Sequence, residues 1–249
     1  MRVFTLPAIC LLAATLAFPQ AKPGAKAKSK GEAQAVQAML QAQDPDARIK
    51  AADDLVTKYH DSDFKSLAYY VEADGYQQKG DNGKAIVFGE QAVAADPQNI
   101  DALVLLANVI ATTTRDTDLD KDEKLTRADK YAKDALEAIK TVAKPNAKMP
   151  DDQWDQYKKN DEAQAWQALG VAALVRKNVD EAMADYQKGI DANPDPLLMI
   201  RAGRALLTAG KPADAVAWFD KAINAPGVSD QLKNIATQDK ARATAQIKK

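Results

Sequence analysis

The chain has 249 residues, of which 46% are hydrophobic and 28% are charged, a balance typical of a folded globular protein. Its 34 Lys and Arg residues are balanced by 35 Asp and Glu residues, so the net charge is -1 and the composition disfavours a nucleic-acid-binding protein. The single histidine and single cysteine disfavour metal sites and catalytic pairs that are built from several such residues.

Residues 1–21 have the pattern of a secretory signal peptide. Arg2 precedes an apolar run over residues 3–18, and small residues follow that run. The run is shorter than the roughly 20 residues that a membrane-spanning helix needs, so we expect no stable membrane insertion after cleavage. We expect cleavage after Ala21, with Ala17 as the alternative. Cleavage removes Cys10, which suits export to a periplasm or to the extracellular medium.

The next segment, residues 22–31, reads K-P-G-A-K-A-K-S-K-G and is rich in lysine and poor in large apolar residues. This composition predicts a flexible basic leader, because such a segment buries too little apolar surface to fold. We interpret it as a solvated spacer, with contact to anionic lipid or another polyanion as the alternative. We expect residues 32–249 to form one elongated folded domain.

Between residues 161 and 226 the chain repeats one pattern of small and large residues. The first copy reads W-Q-A-L-G-x2-A, then A-M-A-D-Y-x2-G, and ends at Pro194. The second copy reads A-G-R-A-L, then Gly210, then A-V-A-W-F-x2-A, and ends at Pro226. Small residues at a helix crossing let two backbones approach, and large residues of the neighbouring helix fill the adjacent holes. The pattern therefore predicts stacked pairs of short antiparallel helices.

These copies resemble tetratricopeptide repeats (TPRs), helix–turn–helix units of roughly 34 residues. The matching positions of the first copy are Trp166, Leu169, Gly170, Ala182, Tyr186 and Pro194. Those of the second copy are Gly203, Leu206, Gly210, Ala215, Phe219 and Ala222. An upstream copy matches at Tyr69, Ala73, Tyr76, Gly80, Ala85, Ala92 and Pro97. The chain departs from the family pattern at Ala173, where the family has tyrosine, and at Gly89, where it has a large aromatic residue.

The resemblance implies an all-α fold, a TPR-type α-solenoid of antiparallel helix pairs with a C-terminal capping helix. The units that we assign are a degenerate pair at 32–62, repeats at about 66–99, 100–162, 163–195 and 196–226, and a capping helix at 229–247. Asp44 and Pro45 predict a helix start, since Asp caps the first turn and Pro suits the first helical position. Gly80 and Gly210 are predicted to end helices in the left-handed conformation.

The unit at 100–162 contains two insertions, and the first is acidic. Asp118, Asp120, Asp122 and Asp129 have the spacing of a calcium-binding EF-hand loop, although Glu123 occupies the position that requires glycine. The favoured interpretation is that Asp120 caps the following helix, while Asp122 and Glu123 complement the helix dipole. A calcium site formed by the four aspartates is the weaker alternative.

The second insertion carries Trp154 and Tyr157 at helical spacing from Trp166 and Leu169. We predict that these two aromatic residues extend the first helix of the following pair and pack on the solenoid. An exposed aromatic hot spot for a partner protein is the alternative.

The resemblance also implies a binding surface, because TPR proteins bind partners in the concave groove that the first helices of the pairs line. The residues at the corresponding positions are Tyr70, Asp74, Gln77, Asp101, Asn108, Gln164, Gln167 and Arg204. They predict a polar groove suited to an extended or helical peptide. The groove lacks the cluster of Lys and Arg with which some family members bind a carboxylate terminus, and Arg204 alone would not replace it.

The function predicted from these observations is that of an exported, non-catalytic adaptor or scaffold that binds a protein or peptide partner. The alternative is a small-ligand or calcium-responsive binding protein that uses the acidic insertion at 116–123. We expect no enzyme activity and no cofactor, since the sequence has no catalytic or nucleotide-binding motif. His60, the only histidine, follows a predicted helix and is expected to face solvent.

Overall fold

The computed structural model describes residues 22, 24–145 and 149–247, and these residues fold into eleven α-helices. The helices are α1 (Lys30–Gln41), α2 (Pro45–Lys58), α3 (Lys65–Gln78), α4 (Asn82–Ala95), α5 (Ile100–Thr113), α6 (Lys121–Thr141), α7 (Asp151–Val175), α8 (Val179–Ala192), α9 (Pro196–Thr208), α10 (Pro212–Ile223) and α11 (Asp230–Ile247). The predicted all-α class is confirmed. The predicted signal peptide at 1–21 lies outside the described residues.

The helices form antiparallel pairs that stack one on the next. Within the pairs, α1 packs on α2, α3 on α4, α5 on α6, α7 on α8 and α9 on α10, and α11 covers the last pair. The first helices of successive pairs also contact one another, α3 with α5 and α5 with α7, and α9 contacts α11. In a stacked array of helix pairs, the first helices line the inner, concave side of the solenoid.

The small and large residues of the repeats pack as the sequence predicts. Tyr186 of α8 lies against Gly170 of α7, and Phe219 of α10 lies against Gly203 of α9. Both aromatic side chains are fully buried, with 2% and 0% of their surface exposed. An aromatic ring thus fills the space that each missing side chain leaves, and the helices of a pair approach closely.

The turns inside three pairs share one backbone feature. Gly80 has a φ of 77° and Gly210 a φ of 72°, which confirms that both adopt the left-handed conformation. At the equivalent turn between α7 and α8 the sequence has Lys177, and its φ is 64°. A residue with a Cβ atom is strained in this conformation, for which glycine is the best residue. The turn therefore keeps the geometry of the repeat although it has lysine in place of glycine.

Helix α2 begins as predicted, since Asp44 accepts a hydrogen bond from the Ala47 N–H and Pro45 is its first residue. Helix α1 begins at Lys30, within the segment predicted to be a leader, and the Ser29 side chain accepts a hydrogen bond from the Glu32 N–H. In the described part of the chain, no helix has the length and hydrophobicity that crossing a membrane requires.

The two insertions of the third pair have different structures. Asp120 is at the N-cap position of α6, but its side chain makes no capping hydrogen bond and pairs with Lys124 at 2.8 Å instead. The second insertion becomes the first turns of α7, so α7 crosses the predicted boundary between residues 162 and 163. Trp154 is only 6% exposed and stacks on Tyr157 with the ring centroids 5.0 Å apart. The prediction that these aromatic residues pack on the solenoid is confirmed.

Candidate functional site

The candidate site is the concave face, and all eight residues predicted to bind a partner belong to helices that line it. Tyr70, Asp74 and Gln77 are on α3, Asp101 and Asn108 on α5, Gln164 and Gln167 on α7, and Arg204 on α9. Their side chains differ in what they contact, and these contacts decide which of them can meet a partner.

A network of amide groups joins α5 to α7 at the centre of the face. The Asn108 side-chain amide donates to the carbonyl oxygens of Val104 and Gln164, at 3.0 and 3.2 Å. Gln167 in turn donates to the Asn108 Oδ1 atom at 3.3 Å. Asn108 and Gln167 therefore position the two helices, while the Gln164 side chain is exposed. Gln77 is exposed as well, one helix pair away on α3.

Towards α3 the face contains a cluster of two tyrosines and two aspartates. The Tyr157 hydroxyl donates to Asp101 at 2.7 Å and links the start of α7 to α5. Asp161, one turn further along α7, is only 5% exposed, and within the described residues its Oδ2 atom has no hydrogen-bond partner. Burial, followed by the nearby charge of Asp101, raises the pKa of Asp161 to about 8.

The tyrosines of this cluster are weakly acidic. Burial is the main cause that raises the pKa of Tyr70 and the pKa of Tyr157 well above the usual value of tyrosine, and the charge of Asp101 adds to it in both cases. Both hydroxyl groups therefore stay protonated at physiological pH, and that of Tyr157 donates to Asp101. Since Tyr70 packs in the apolar clusters beneath the face, its contribution is mainly structural.

The two remaining predicted residues are held by ion pairs. Asp74 pairs with the Arg48 Nη1 atom of α2 at 2.6 Å and also accepts a hydrogen bond from Gln78 at 2.8 Å. The Arg204 Nε atom donates to Asp239 of α11 at 2.6 Å, although the Arg204 side chain is 55% exposed. Asp74 thus fixes α3 to α2, and Arg204 fixes the capping helix to the last pair.

The structure therefore brings Tyr70 and Asp101 into one cluster, and Asn108, Gln164 and Gln167 into another. Three neighbours of the predicted residues were missed in the sequence: Asp161, Asp239 and Arg242. Tyr157 was predicted to pack on the solenoid, but its hydrogen bond to Asp101 was not predicted. Asp161 follows Tyr157 at helical spacing on the helix of the predicted glutamines, and this spacing is a signal that could have identified the pair. The sequence contains no comparable signal for the pairing of Asp239 with Arg204, because Arg204 lies on another helix, 35 residues away.

The aspartates of the acidic insertion are bound to basic side chains. Asp118 and Asp120 both pair with Lys124, at 3.0 and 2.8 Å, and Asp129 pairs with Arg176 of α7 at 2.9 Å. Asp122 is exposed on the first turn of α6. Among the residues that the structure describes, these carboxylates do not form a group of three that could hold a metal ion.

We accordingly predict that calcium does not stabilise the protein. Melting curves recorded by circular dichroism in millimolar calcium and in excess chelator should coincide, because calcium binding would have to break the ion pairs of Asp118 and Asp129. Magnesium at the same ionic strength controls for the general effect of salt. A rise in the melting temperature with calcium alone would restore the EF-hand interpretation.

The other titratable candidate, His60, follows α2 and is exposed, as expected from the sequence. The concave face thus offers hydrogen-bond donors and acceptors on a rigid helical frame. Such an arrangement suits recognition of a polar chain by hydrogen bonds and ion pairs.

Three solved structures with the same fold can be compared with this chain. One is a thermophilic TPR protein of Thermus thermophilus, with 17% identity and a TM-score of 0.55 over 86% of this chain and 96% of that one. The second is MamA, with 17% identity and a TM-score of 0.52 over 80% and 91%. The third is PilW, described as a widely conserved type IV pilus biogenesis factor, with 16% identity and a TM-score of 0.59 over 88% and 93%. At these identities the likeness shows the fold alone.

The family comparison agrees with these structures. Among curated protein sequences, none matches the chain. The family model of the tetratricopeptide repeat matches residues 132–195 and 189–229, which extend from the second half of α6 to just past the end of α10. TPR scaffolds are typical of proteins that bind other proteins. Residues 132–229 thus match the tetratricopeptide repeat, and the described helices as a whole form a TPR-like fold of antiparallel pairs.

Proposed function

We propose that the protein is an exported, non-catalytic adaptor that binds a peptide segment of a partner protein in its concave groove. The groove is the surface of α3, α5, α7, α9 and α11 on the inner side of the solenoid. Export rests on the signal-peptide pattern of residues 1–21, and it places the adaptor in a periplasm or outside the cell.

The observation that carries the proposal is the presence of exposed amide side chains on a frame that other side chains hold in place. Gln77 and Gln164 are exposed on α3 and α7, whereas the amide of Asn108 is already used to join α5 to α7. An amide both donates and accepts hydrogen bonds, which matches the backbone of an extended peptide. Because the helices are rigid, little conformational entropy is lost when a peptide binds.

The test is site-specific photo-crosslinking in cells that produce the protein. A photoreactive amino acid at position 164 should form an adduct with a partner, while the same residue at position 91 should not, because Gln91 is exposed on the outer helix α4. Introducing Gln77→Lys should reduce the adduct at position 164 at least about threefold, since a charged side chain replaces a neutral hydrogen-bonding one.

The control for the added charge is Gln238→Lys, on an exposed position of the capping helix away from α3. This variant should leave the adduct at position 164 unchanged. An adduct that forms equally well from positions 164 and 91, or only from position 91, would contradict a function of the concave groove.

A further inference from the structure

The segment before α1 is a lysine-rich arm whose backbone is fastened to the folded domain. The arm comprises Lys22 and residues 24–30, and it contains four lysines and no acidic residue. The Lys26 N–H donates to the Asp63 Oδ2 atom at 3.2 Å. The N–H of Lys28 donates to the Oε2 atom of the buried glutamate of α1 at 2.6 Å. The arm is therefore held beside the turn between α2 and α3.

The lysines of the arm differ in whether the fold uses their charge. The Lys28 ammonium group donates to a backbone oxygen of the α2–α3 turn and lies 3.7 Å from the Asp63 carboxylate. Lys22, Lys26 and Lys30 are exposed, and within the described residues none of their ammonium groups has a carboxylate partner. Most lysines of the later helices do form ion pairs. Three positive charges of the arm are thus left to solvent.

Two further lysines lie next to the arm. Lys65, the first residue of α3, lines the same cleft as Lys22. Lys58, the last residue of α2, lines a second cleft together with Gly31, which follows Lys30. In the part of the chain that the structure describes, both contact a tyrosine ring and neither pairs with a carboxylate. We call these five residues the basic corner: Lys22, Lys26, Lys30, Lys58 and Lys65.

The acidic residues that line the same two clefts already have partners within the fold. Asp63 is bound by the arm itself. Asp54 pairs with Lys50 at 2.7 Å, and Asp96 accepts a hydrogen bond from the Gln98 N–H at 3.0 Å. These contacts engage the carboxylates but leave the five lysines without an ion pair, so the basic corner attracts anions from outside the protein.

Two lysines of the basic corner occupy positions where a helix disfavours a positive charge. Lys30 and Lys65 are the first residues of α1 and α3, and the partial positive charge of a helix N-terminus repels a cation. Lys121 has the same position in α6, but it pairs with Asp116 at 3.0 Å. The two unpaired lysines therefore weaken their own helices slightly, and a role in stabilising the fold does not explain them. An anionic surface outside the protein would offset the repulsion.

We propose that the basic corner binds the surface of an anionic lipid membrane. Each lysine close to such a surface strengthens binding roughly fivefold, so five lysines together give a reversible contact that depends on salt. A membrane fits better than a nucleic-acid strand, because the arm has lysine alone and lacks the arginine and aromatic side chains that strand-binding grooves combine. The contact uses none of the eight residues predicted to bind a peptide, so it is independent of what the groove binds.

The experiment is co-sedimentation of the purified protein with lipid vesicles. The protein begins at Lys22, which is the form that the predicted cleavage leaves, and it contains all of the described helices. Phosphatidylcholine vesicles with about one third phosphatidylglycerol should bind it at low salt, and vesicles of phosphatidylcholine alone should not. Binding should disappear in roughly 1 M salt, where charges are screened beyond about 3 Å. Soluble glycerol phosphate at the same phosphate concentration should not displace the protein, because only a surface engages several lysines together.

The test variant is Lys22→Gln/Lys26→Gln/Lys30→Gln. It removes three unpaired charges and keeps Lys28, which helps to hold the arm in place. Binding to the anionic vesicles should weaken at least about tenfold, since each lost charge contributes a factor of roughly five when it lies close to the membrane. The circular dichroism spectrum should not change, because these three ammonium groups support no contact of the fold.

The matched control is Lys133→Gln/Lys159→Gln/Lys233→Gln, which changes the net charge equally at exposed positions of α6, α7 and α11. It should change the affinity for the vesicles less than about twofold, the size of a screened surface effect. No binding to anionic vesicles, equal binding to neutral ones, or equal loss in both triple variants would overturn the proposal. Displacement by glycerol phosphate would also overturn it, in favour of a site for a single phosphate. Binding of single-stranded DNA but not of vesicles would assign the basic corner to a soluble polyanion instead.

Discussion

Substitution of Gly170 by alanine is expected to lower the free energy of unfolding by about 2–3 kcal/mol, although alanine favours helices over glycine. A Cβ atom at position 170 would lie 2.5 Å from the Tyr186 Cδ1 atom and 3.2 Å from the backbone oxygen of Ala182. The Tyr186 ring is fully buried, so it has no space into which it could move. Chemical denaturation followed by circular dichroism measures the change directly.

The matched control is Gly83→Ala in the first turn of α4. The nearest atom to a Cβ at this position is an oxygen of Asp81 at 3.7 Å, which is an ordinary contact. There the helix preference of alanine acts alone, and the variant should be more stable by up to about 1 kcal/mol. If the same substitution lowers the free energy of unfolding at position 170 and raises it at position 83, close helix packing and not helix propensity is the reason that position 170 requires glycine. A stable Gly170→Ala variant would contradict this packing.

The architecture could be predicted because it depends on a local spacing of small and large residues that recurs in every repeat. Gly170 and Tyr186 are close in sequence and belong to one helix pair, and the same holds for Gly203 and Phe219. Gly80 and Gly210 indicate turns in the sequence, because the left-handed backbone conformation that these turns need suits few residues other than glycine. Lys177 adopts the same conformation without that signal, so its turn could be located only from its position in the repeat.

The role of each groove residue was harder to predict, since it depends on contacts between distant parts of the chain. Asp74 forms an ion pair with Arg48 of the preceding helix pair, and Arg204 forms one with Asp239 of the capping helix. A family position identifies the side chains that point into the groove, but it does not say which of them the fold uses for its own stability. Helical periodicity likewise predicts apolar residues inside, so it does not reveal a buried acid such as Glu72.

Glu72 occupies a position that is apolar in the following repeats. It lies on α3 with only 1% of its surface exposed, where the equivalent residues are Leu169 of α7 and Ala202 of α9, which are also buried. Its Oε1 atom has no hydrogen-bond partner among the described residues. Burial, with a smaller contribution from the charge of Asp53, raises the pKa of Glu72 to about 8. A glutamate at this position is therefore protonated in the folded protein at mildly acid pH.

The consequence is that stability should fall as the pH rises. In the unfolded chain Glu72 has a pKa of about 4.3, so between that value and about 8 the folded state binds more protons than the unfolded state. The free energy of unfolding therefore decreases through this window, by about 3–4 kcal/mol from pH 5 to pH 8 for this residue. Asp161, whose pKa is also raised to about 8, acts in the same direction. The lowered pKa values of Asp116, Asp118 and Asp151 act below this window, in more acid solution.

Glu72→Gln isolates this effect, because glutamine has nearly the same shape and cannot ionise. The variant should nearly match the parent protein at pH 5, exceed its stability at pH 8 by about 3–4 kcal/mol, and show a flatter dependence on pH, as measured by denaturant unfolding at several pH values. Glu123→Gln, on an exposed turn of α6, should leave the slope unchanged. If Glu72→Gln and Asp161→Asn both kept the slope of the parent protein, the two buried carboxyl groups would not control its stability. If only Asp161→Asn flattened it, the sensitivity to pH would lie in the groove itself, at the junction of α5 and α7.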